Sequence, residues 1–265
     1  LSVLAKSSPH SVSTLGERKK DIYDKLKHYL YIEQDIEKAF ADLLKSAKSG
    51  DVIFLCGSSG DGKTEILRRY KDQYQHQMRF HSDGTHSFSP EKTAIDTLDE
   101  LFTECREDKR PLIIGINIGM LANYAKEGSD EHHEIKQTIE VFLEQGQTNY
   151  NQYHFLDFEK FPKFEFTHEP AQYSVFAKAL LQRLTSPCAE NIFYQLAKKE
   201  ESSGTDLILV ANFKLLSKES VQNVIITNLF KARLVKEQFL TTRALLDLLH
   251  DLLLSEDYLF NNLFC

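Results

Sequence analysis

The hydrophobic pattern changes sharply in the stretch VIFLCGSSGDGKTEILRRY, residues 52–70. Its first five residues are apolar on both faces, which is typical of a parallel strand buried between helices. The segment EILRRY at its end has apolar residues at helical spacing. The pattern therefore predicts a buried strand, a glycine-rich loop and a helix in succession.

MRFHSD could close a strand next to the loop at Asp83, and two apolar segments predict further strands: PLIIGINI, which contains Asn117, and YHFLDF, which begins at Tyr153. AIDTLDELF, between the first two, has the spacing of an amphipathic helix. After YHFLDF, Pro162 and alternating aromatic residues indicate a linker or an edge strand. Alternating strands and helices predict an α/β fold with a parallel sheet flanked by helices.

The pattern becomes helical beyond residue 165. Four segments are predicted to be amphipathic helices: YSVFAKALLQRL, ENIFYQLAKKE, SVQNVIITNLFKARL and TTRALLDLLHDLLL. LILVANFKLLS, residues 207–217, is predicted to be a strand or a buried connector. Residues 166–265 are therefore predicted to form a smaller, lid-like helical domain behind a domain of residues 51–165.

Residues 1–50 are predicted to form an arm and a helix that packs on the sheet domain. YLYIEQDIEKAFADLLKSAKSG has apolar residues at helical spacing, including Ile32, Ile36 and Phe40, and Gly50 ends it just before the first strand. The serine-rich segment LSVLAKSSPHSVST before it is expected to be an extended arm or an interaction segment. The chain itself is expected to be part of a longer protein.

The loop after the first strand fits the phosphate-binding pattern G-x-x-x-x-G-K-[ST]. Glycines at positions 60 and 62 allow backbone angles that point N–H groups at phosphate oxygens, and the helix that follows adds its positive end. Lys63 would contact the β and γ phosphates, and the Thr64 hydroxyl would bind Mg²⁺. A bound ATP–Mg²⁺ complex is therefore predicted. The predicted contact residues are Gly57, Ser58, Ser59, Gly60, Asp61, Gly62, Lys63, Thr64 and Glu65.

Hydrolysis needs an acidic residue beside the metal, and here the pattern is weaker. Asp83 is open to two interpretations, a turn cap or the site acid. Asp99 and Glu100 are better explained as solvated helix residues. Asn117 either caps the helix that follows it or, as in many AAA+ ATPases, orients the attacking water, with Asn212 as its rival.

A phosphate-binding α/β half followed by a helical half is the plan of AAA+ ATPases. In that class, arginines of the lid or of a neighbouring subunit contact the nucleotide. Arg243 is the candidate for the lid contact, and Arg233 for a finger or a partner contact; both also fit ordinary surface arginines. His132 and His133 are adjacent and are expected on a solvated helix face.

The composition restricts the kinds of partner and the cellular location that can be expected. The 265 residues carry 32 Lys and Arg against 39 Asp and Glu, a net charge of −7, which argues against holding DNA by bulk phosphate neutralisation. The four cysteines lack metal-ligand spacing, and no stretch approaches the roughly 20 apolar residues of a membrane span. A cytoplasmic protein without a membrane partner is expected.

Several segments together resemble the amino-terminal part of the DNA phosphorothioation-dependent restriction protein F family. They are LSVLAKSSPHSVST, YLYIE, FLCGSSGDGKTEIL and LIIGINIGMLANY, with weaker similarity in NFKLLS and LTTRALLDLL. The resemblance implies a bacterial defence system in which self DNA carries sulfur in its backbone and unmarked DNA is attacked.

The resemblance also implies a role within that system. This family supplies a nucleotide-binding component that works beside two further restriction proteins, so DNA would be met indirectly, and self-association is left open. By position, Gly57 to Thr64 correspond to the nucleotide site, and no nuclease centre is seen. Two functions stay open: an ATPase that drives the assembly, and a nucleotide-dependent assembly module with little turnover.

Overall fold

The computed structural model describes residues 2–5, 22–85, 87, 89, 91–168, 173–237 and 239–254. These residues divide into two units. We call residues 35–161 the sheet unit, and the described residues before 35 and after 161 the helical unit. The division at residues 161–162 lies slightly before the predicted boundary at residue 165.

The helices of the described residues, in chain order, are α1 (Ile22–Leu30), α2 (Asp35–Ser46), α3 (Lys63–Tyr74), α4 (Ala94–Asp108), α5 (Ile118–Glu127), α6 (His133–Gln145), α7 (Val175–Thr185), α8 (Ile192–Ser203), α9 (Leu207–Leu216), α10 (Glu219–Lys236) and α11 (Thr242–Leu254). The strands are β1 (Val52–Cys56), β2 (Arg79–His81), β3 (Leu112–Ile116), β4 (Asn149–Tyr150) and β5 (Tyr153–Asp157).

The strands form one sheet in the order β2-β3-β1-β5-β4. All neighbouring strands run parallel except β4, which pairs antiparallel with β5 at the edge. In this register, Cys56 at the end of β1 lies between Ile116 of β3 and Asp157 of β5. The predicted α/β fold is confirmed, and the sheet is parallel as predicted except at its β4 edge.

Both faces of the sheet are covered, which explains why β1 is apolar throughout. Ile53 and Leu55 face a core shared with α2 and α3, and Val52 and Phe54 face a core shared with α4, α5 and α6. Every residue of β1 is buried. Full burial of such side chains contributes about 1.5–3 kcal/mol each. The apolar strand thus fixes the point from which the following loop emerges.

In the helical unit, α1 and α7–α11 surround one apolar core. Val3 and Leu4 are buried in that core, so the described start of the chain is packed and not extended. The remainder of the predicted arm, residues 6–14, lies outside the described residues. None of the helices in the described part of the chain is long and apolar enough to cross a membrane.

The helix predicted from Tyr29 onward is interrupted. Helix α1 ends at Leu30, and α2 begins only at Asp35. Arg183 of α7 donates hydrogen bonds to the carbonyl oxygens of Tyr29 (3.1 Å) and Tyr31 (2.8 Å). The break coincides with the division into units: α2 belongs to the sheet unit, and the described residues before it belong to the helical unit.

The prediction of a strand or connector at LILVANFKLLS is wrong, because this segment is helix α9. Asp206 caps the helix by accepting a hydrogen bond from the Leu209 N–H at 2.9 Å. Val210, Phe213 and Leu216 are buried at helical spacing. The segment is apolar on several faces, which hides the helical period in the sequence.

Candidate functional site

The loop between β1 and α3 is closed by two hydrogen bonds. The Asp61 N–H donates to the Ser58 carbonyl at 3.3 Å, and the Ser58 N–H donates to Asp61 Oδ2 at 2.7 Å. Gly60 (φ +89°) and Gly62 (φ +107°) adopt left-handed backbone angles that glycine tolerates best. The glycines of the motif therefore serve the turn that the sequence predicted.

Gly57 is needed for a different reason. A Cβ atom at this position would lie 2.8 Å from the Phe158 ring and 3.0 Å from Asp61 Oδ2. Both distances are shorter than ordinary van der Waals contact, so only glycine lets these side chains approach the loop.

Helix α3 begins immediately at the loop and has no side-chain cap at Gly62. The first N–H groups of a helix have no intrahelical partners, and they carry the positive end of the helix dipole. Such a helix start is well suited to bind an anion. The start of α3, which has no side-chain cap at Gly62, therefore meets the loop at the carboxyl edge of the parallel sheet.

Lys63 places a cation at the same point. Its Nζ donates hydrogen bonds to the carbonyl oxygens of Gly57 (2.9 Å) and Ser58 (2.8 Å). Burial lowers the pKa of Lys63, while the negative charges of Asp61 and Asp83 act to raise it. The ammonium is thus folded back over the loop.

The other predicted loop residues differ in their surroundings. Ser58 and Ser59 are exposed, and Thr64 is half-buried. The half-buried carboxylate of Glu65 lies 3.0 Å from Arg68 Nη2 and 3.4 Å from Arg69 Nε, both on the same helix. Phosphate contact by Glu65 stays a prediction, because its described partners are these arginines.

Asp83 lies in the turn that follows β2. The Gly84 N–H donates to the Gly115 carbonyl at 2.8 Å, which fixes this turn to β3. Asp83 Oδ1 accepts hydrogen bonds from the N–H (3.0 Å) and hydroxyl (2.5 Å) of Thr85. Asp83 therefore caps its own turn and also lies close enough to Lys63 to influence that side chain's pKa.

Asn117 follows β3 at the same edge of the sheet. Its Oδ1 accepts a hydrogen bond from the Met120 N–H at 2.6 Å, so it caps α5. The capping interpretation is confirmed. Orientation of an attacking water by the same side chain stays a prediction.

Sequence analysis missed Asp157, the last residue of β5. It is buried and lies beside Cys56 in the sheet register, and its Oδ1 accepts a hydrogen bond from the Glu159 N–H at 2.9 Å. That bond caps the short 3-10 helix Phe158–Lys160, which places the Phe158 ring against Gly57. The sequence carried a sign of this acid, because the strand-like segment YHFLD ends in Asp157.

Asp99 and His132 were predicted to lie on solvated helix faces, and this prediction is wrong. Tyr124 Oη and the Ser129 N–H donate to the Asp99 carboxylate at 2.6 Å and 3.1 Å. The His132 side chain is 2% exposed, and its Nε2 lies 3.1 Å from the Asp99 carbonyl and 3.2 Å from the Thr103 hydroxyl. For His132 the reason is a change of helix type: His132 ends the 3-10 helix Asp130–His132, and exposed His133 begins α6.

The remaining candidates lie in the helical unit. Arg243 occupies the first turn of α11, as predicted. Arg233 donates to the Phe164 carbonyl at 2.6 Å and lies over the Phe239 ring at 5.0 Å, which explains it as a packing residue. Asn212 is buried in α9 and donates to the Leu253 carbonyl at 3.3 Å, so it is not a strand-end rival of Asn117.

Mg²⁺ would need suitable oxygen ligands at the loop. Among the described residues, no three His, Cys, Asp or Glu side chains come together as a metal site. Mg²⁺ bound with a nucleotide takes only one or two protein ligands, the rest being phosphate oxygens and water. The Thr64 hydroxyl at the start of α3 and the Asp83 carboxylate near Lys63 are ligands of that type.

Comparison of the chain with protein-family models, with curated proteins and with solved structures finds no match. The geometry around Gly57–Thr64 is therefore the main guide to function.

Proposed function

We propose that the chain is a P-loop NTPase that binds ATP through Gly57–Thr64. One observation carries the proposal: two left-handed glycines, the uncapped start of α3 and the Lys63 ammonium converge at the carboxyl edge of a parallel sheet. Backbone N–H groups and a lysine at such a place suit a triphosphate, whose charge they offset.

Each residue has a role in this proposal. Lys63 would exchange its bonds to the Gly57 and Ser58 carbonyls for bonds to phosphate oxygens. Thr64 and Asp83 would hold Mg²⁺, which neutralises charge on the transferred phosphate when bound. Asn117 and Arg243 are further candidates in hydrolysis, as in AAA+ ATPases.

The biological setting is proposed from the resemblance to restriction protein F. In that setting, the chain supplies the nucleotide-driven component of a phosphorothioation-dependent restriction system in the cytoplasm. Partner restriction proteins would contact unmodified DNA, and the chain would act through them, alone or as a homo-oligomer.

A second candidate is a nucleotide-dependent assembly module with little turnover. The observation that favours it is the Asn117 side chain, whose Oδ1 is already engaged by Met120 N–H. Steady-state phosphate release, measured with and without DNA, separates the candidates. Release above a Lys63→Ala control supports the ATPase, whereas ATP binding without release supports the assembly module.

The loop assignment is tested with Lys63→Ala. A charge-assisted hydrogen bond contributes about 1.5–3 kcal/mol, so loss of the ammonium should weaken ATP binding roughly 10- to 100-fold. Isothermal titration of the folded variant measures this. Lys71→Ala, in the last turn of the same helix, removes an equal charge away from the loop and should bind like the wild type. Equal affinity in all three proteins would reject the phosphate-loop assignment.

A further inference from the structure

The loop contains a buried acid that the phosphate-binding pattern does not require. Position 61 is one of the variable positions in G-x-x-x-x-G-K-[ST]. Asp61 is 6% exposed, although aspartate is rarely buried without strong partners. A negative charge at this place also opposes the binding of a phosphate, so its presence calls for an explanation.

The described contacts supply one. Asp61 Oδ2 accepts the Ser58 N–H at 2.7 Å, and the Asp61 N–H returns a bond to the Ser58 carbonyl at 3.3 Å. Residues 58–61 are thus closed at both ends around Gly60, whose φ of +89° suits the third position of a type II turn. The short Ser58 N–H bond is the charge-assisted kind, which is about twice as strong as a neutral one.

The missing side chain of Gly57 leaves space for this carboxylate. A Cβ atom at Gly57 would approach Asp61 Oδ2 to 3.0 Å, so the glycine accommodates the acid. Asp61 Oδ2 accepts the Ser58 N–H, and Lys63 Nζ donates to the Ser58 carbonyl, so both charged groups are bonded to the same residue. The carboxylate therefore links the first residues of the loop to the start of α3.

We propose that Asp61 is a positioning residue of the loop: its carboxylate holds the Ser58 amide and keeps the loop in the shape that receives phosphate. This inference rests on the proposed nucleotide site. A loop already held in its binding shape loses less conformational freedom when the ligand binds. Asp61 thus improves affinity although its charge repels the ligand.

The two effects of Asp61 have opposite signs, which makes the proposal testable. If charge repulsion dominates, both Asp61→Ala and Asp61→Asn should bind ATP more tightly than the wild type. If positioning dominates, Asp61→Ala should bind about tenfold more weakly. Asp61→Asn should stay near wild type, because its amide oxygen still accepts the Ser58 N–H. Asp72→Ala, which removes an exposed acid of α3, is the charge control.

A second measurement needs no nucleotide. Hydrogen exchange of the Ser58 amide in the full chain should be slow in the wild type and in Asp61→Asn, and about tenfold faster in Asp61→Ala. Unchanged exchange, or tighter ATP binding by a folded Asp61→Ala, overturns the proposal. If the wild type fails to bind ATP, the proposed function is wrong, and so is the proposed effect of Asp61 on ATP affinity. The exchange result then still shows whether Asp61 holds the loop.

Discussion

At the scale of single residues, three polar side chains at or just after strand ends on the carboxyl edge of the sheet act as caps. Asp83, Asn117 and Asp157 each accept a backbone N–H two or three residues further along. Short polar side chains of this kind serve equally as caps and as ligands, so sequence alone could not separate the two roles. The position at a strand end was predictable; the hydrogen-bond partner was not.

The adjacent histidines offer a test of burial at this scale. Burial, followed by the charge of Arg106, lowers the pKa of His132 below its value in the unfolded chain, and Asp99 and Glu131 oppose the shift only partly. The unfolded state then binds more protons, so the free energy of unfolding should fall as pH drops below about 6.5. Urea unfolding at pH 7.5 and 5.5 should therefore show a larger loss in the wild type than in His132→Gln.

His133→Gln is the matched control, because His133 is adjacent but exposed. It should lose as much stability between the two pH values as the wild type does. An equal loss in all three proteins would mean that His132 does not contribute to the pH dependence.

At the scale of elements, the position of the turn after β2 depends on a glycine in β3. A Cβ atom at Gly115 would lie 2.7 Å from the Ser82 carbonyl oxygen and 2.9 Å from Leu67 Cδ1. Gly115→Ala should therefore displace the turn that carries Asp83, or push β3 away from α3. Overpacking of this kind destabilises by about 1–3 kcal/mol. Urea denaturation measures the change in the free energy of unfolding.

Gly119→Ala gives the matched comparison in α5. Its new methyl group would meet only Asn117 Oδ1, at an ordinary 3.5 Å, and alanine favours a helix over glycine by roughly 0.5–1 kcal/mol. This variant should be as stable as the wild type or more so. If both alanines have the same effect, the close approach at Gly115 has no energetic consequence.

Elements with a clear period and a buried environment were predictable from sequence. Strand β1 is apolar throughout because helices cover both its faces, and α4 and α11 show the expected amphipathic spacing. The break at residues 31–34 and the helical state of α9 were not predictable. At the first, the described contacts come from Arg183, which is distant in the chain; at the second, apolar residues on several faces conceal the helical period.

At the scale of the whole molecule, exposed apolar side chains are unevenly distributed between the two units. Among the described residues, the exposed large hydrophobic side chains lie in the helical unit, with the exception of Tyr150. Phe166 and Val235 are each 78% exposed. The sequence has two short basic groups, LRRYK and GERKK. In LRRYK, Arg68 and Arg69 pair with Glu65. GERKK lies outside the described residues. Neither feature favours a surface that neutralises many DNA phosphates.

We therefore expect the isolated chain to bind DNA weakly. With 32 basic and 39 acidic residues, only a few phosphates would be neutralised, and each neutralised phosphate contributes about −0.9 to the slope of log affinity against log salt. Binding to unmodified and phosphorothioated duplexes across a salt series should give equal, low affinities that fall as salt rises. Tight, salt-resistant binding that distinguishes the two duplexes would contradict this expectation, because it requires specific contacts with the modified backbone. Recognition of DNA would then belong to this chain and not to its proposed partners.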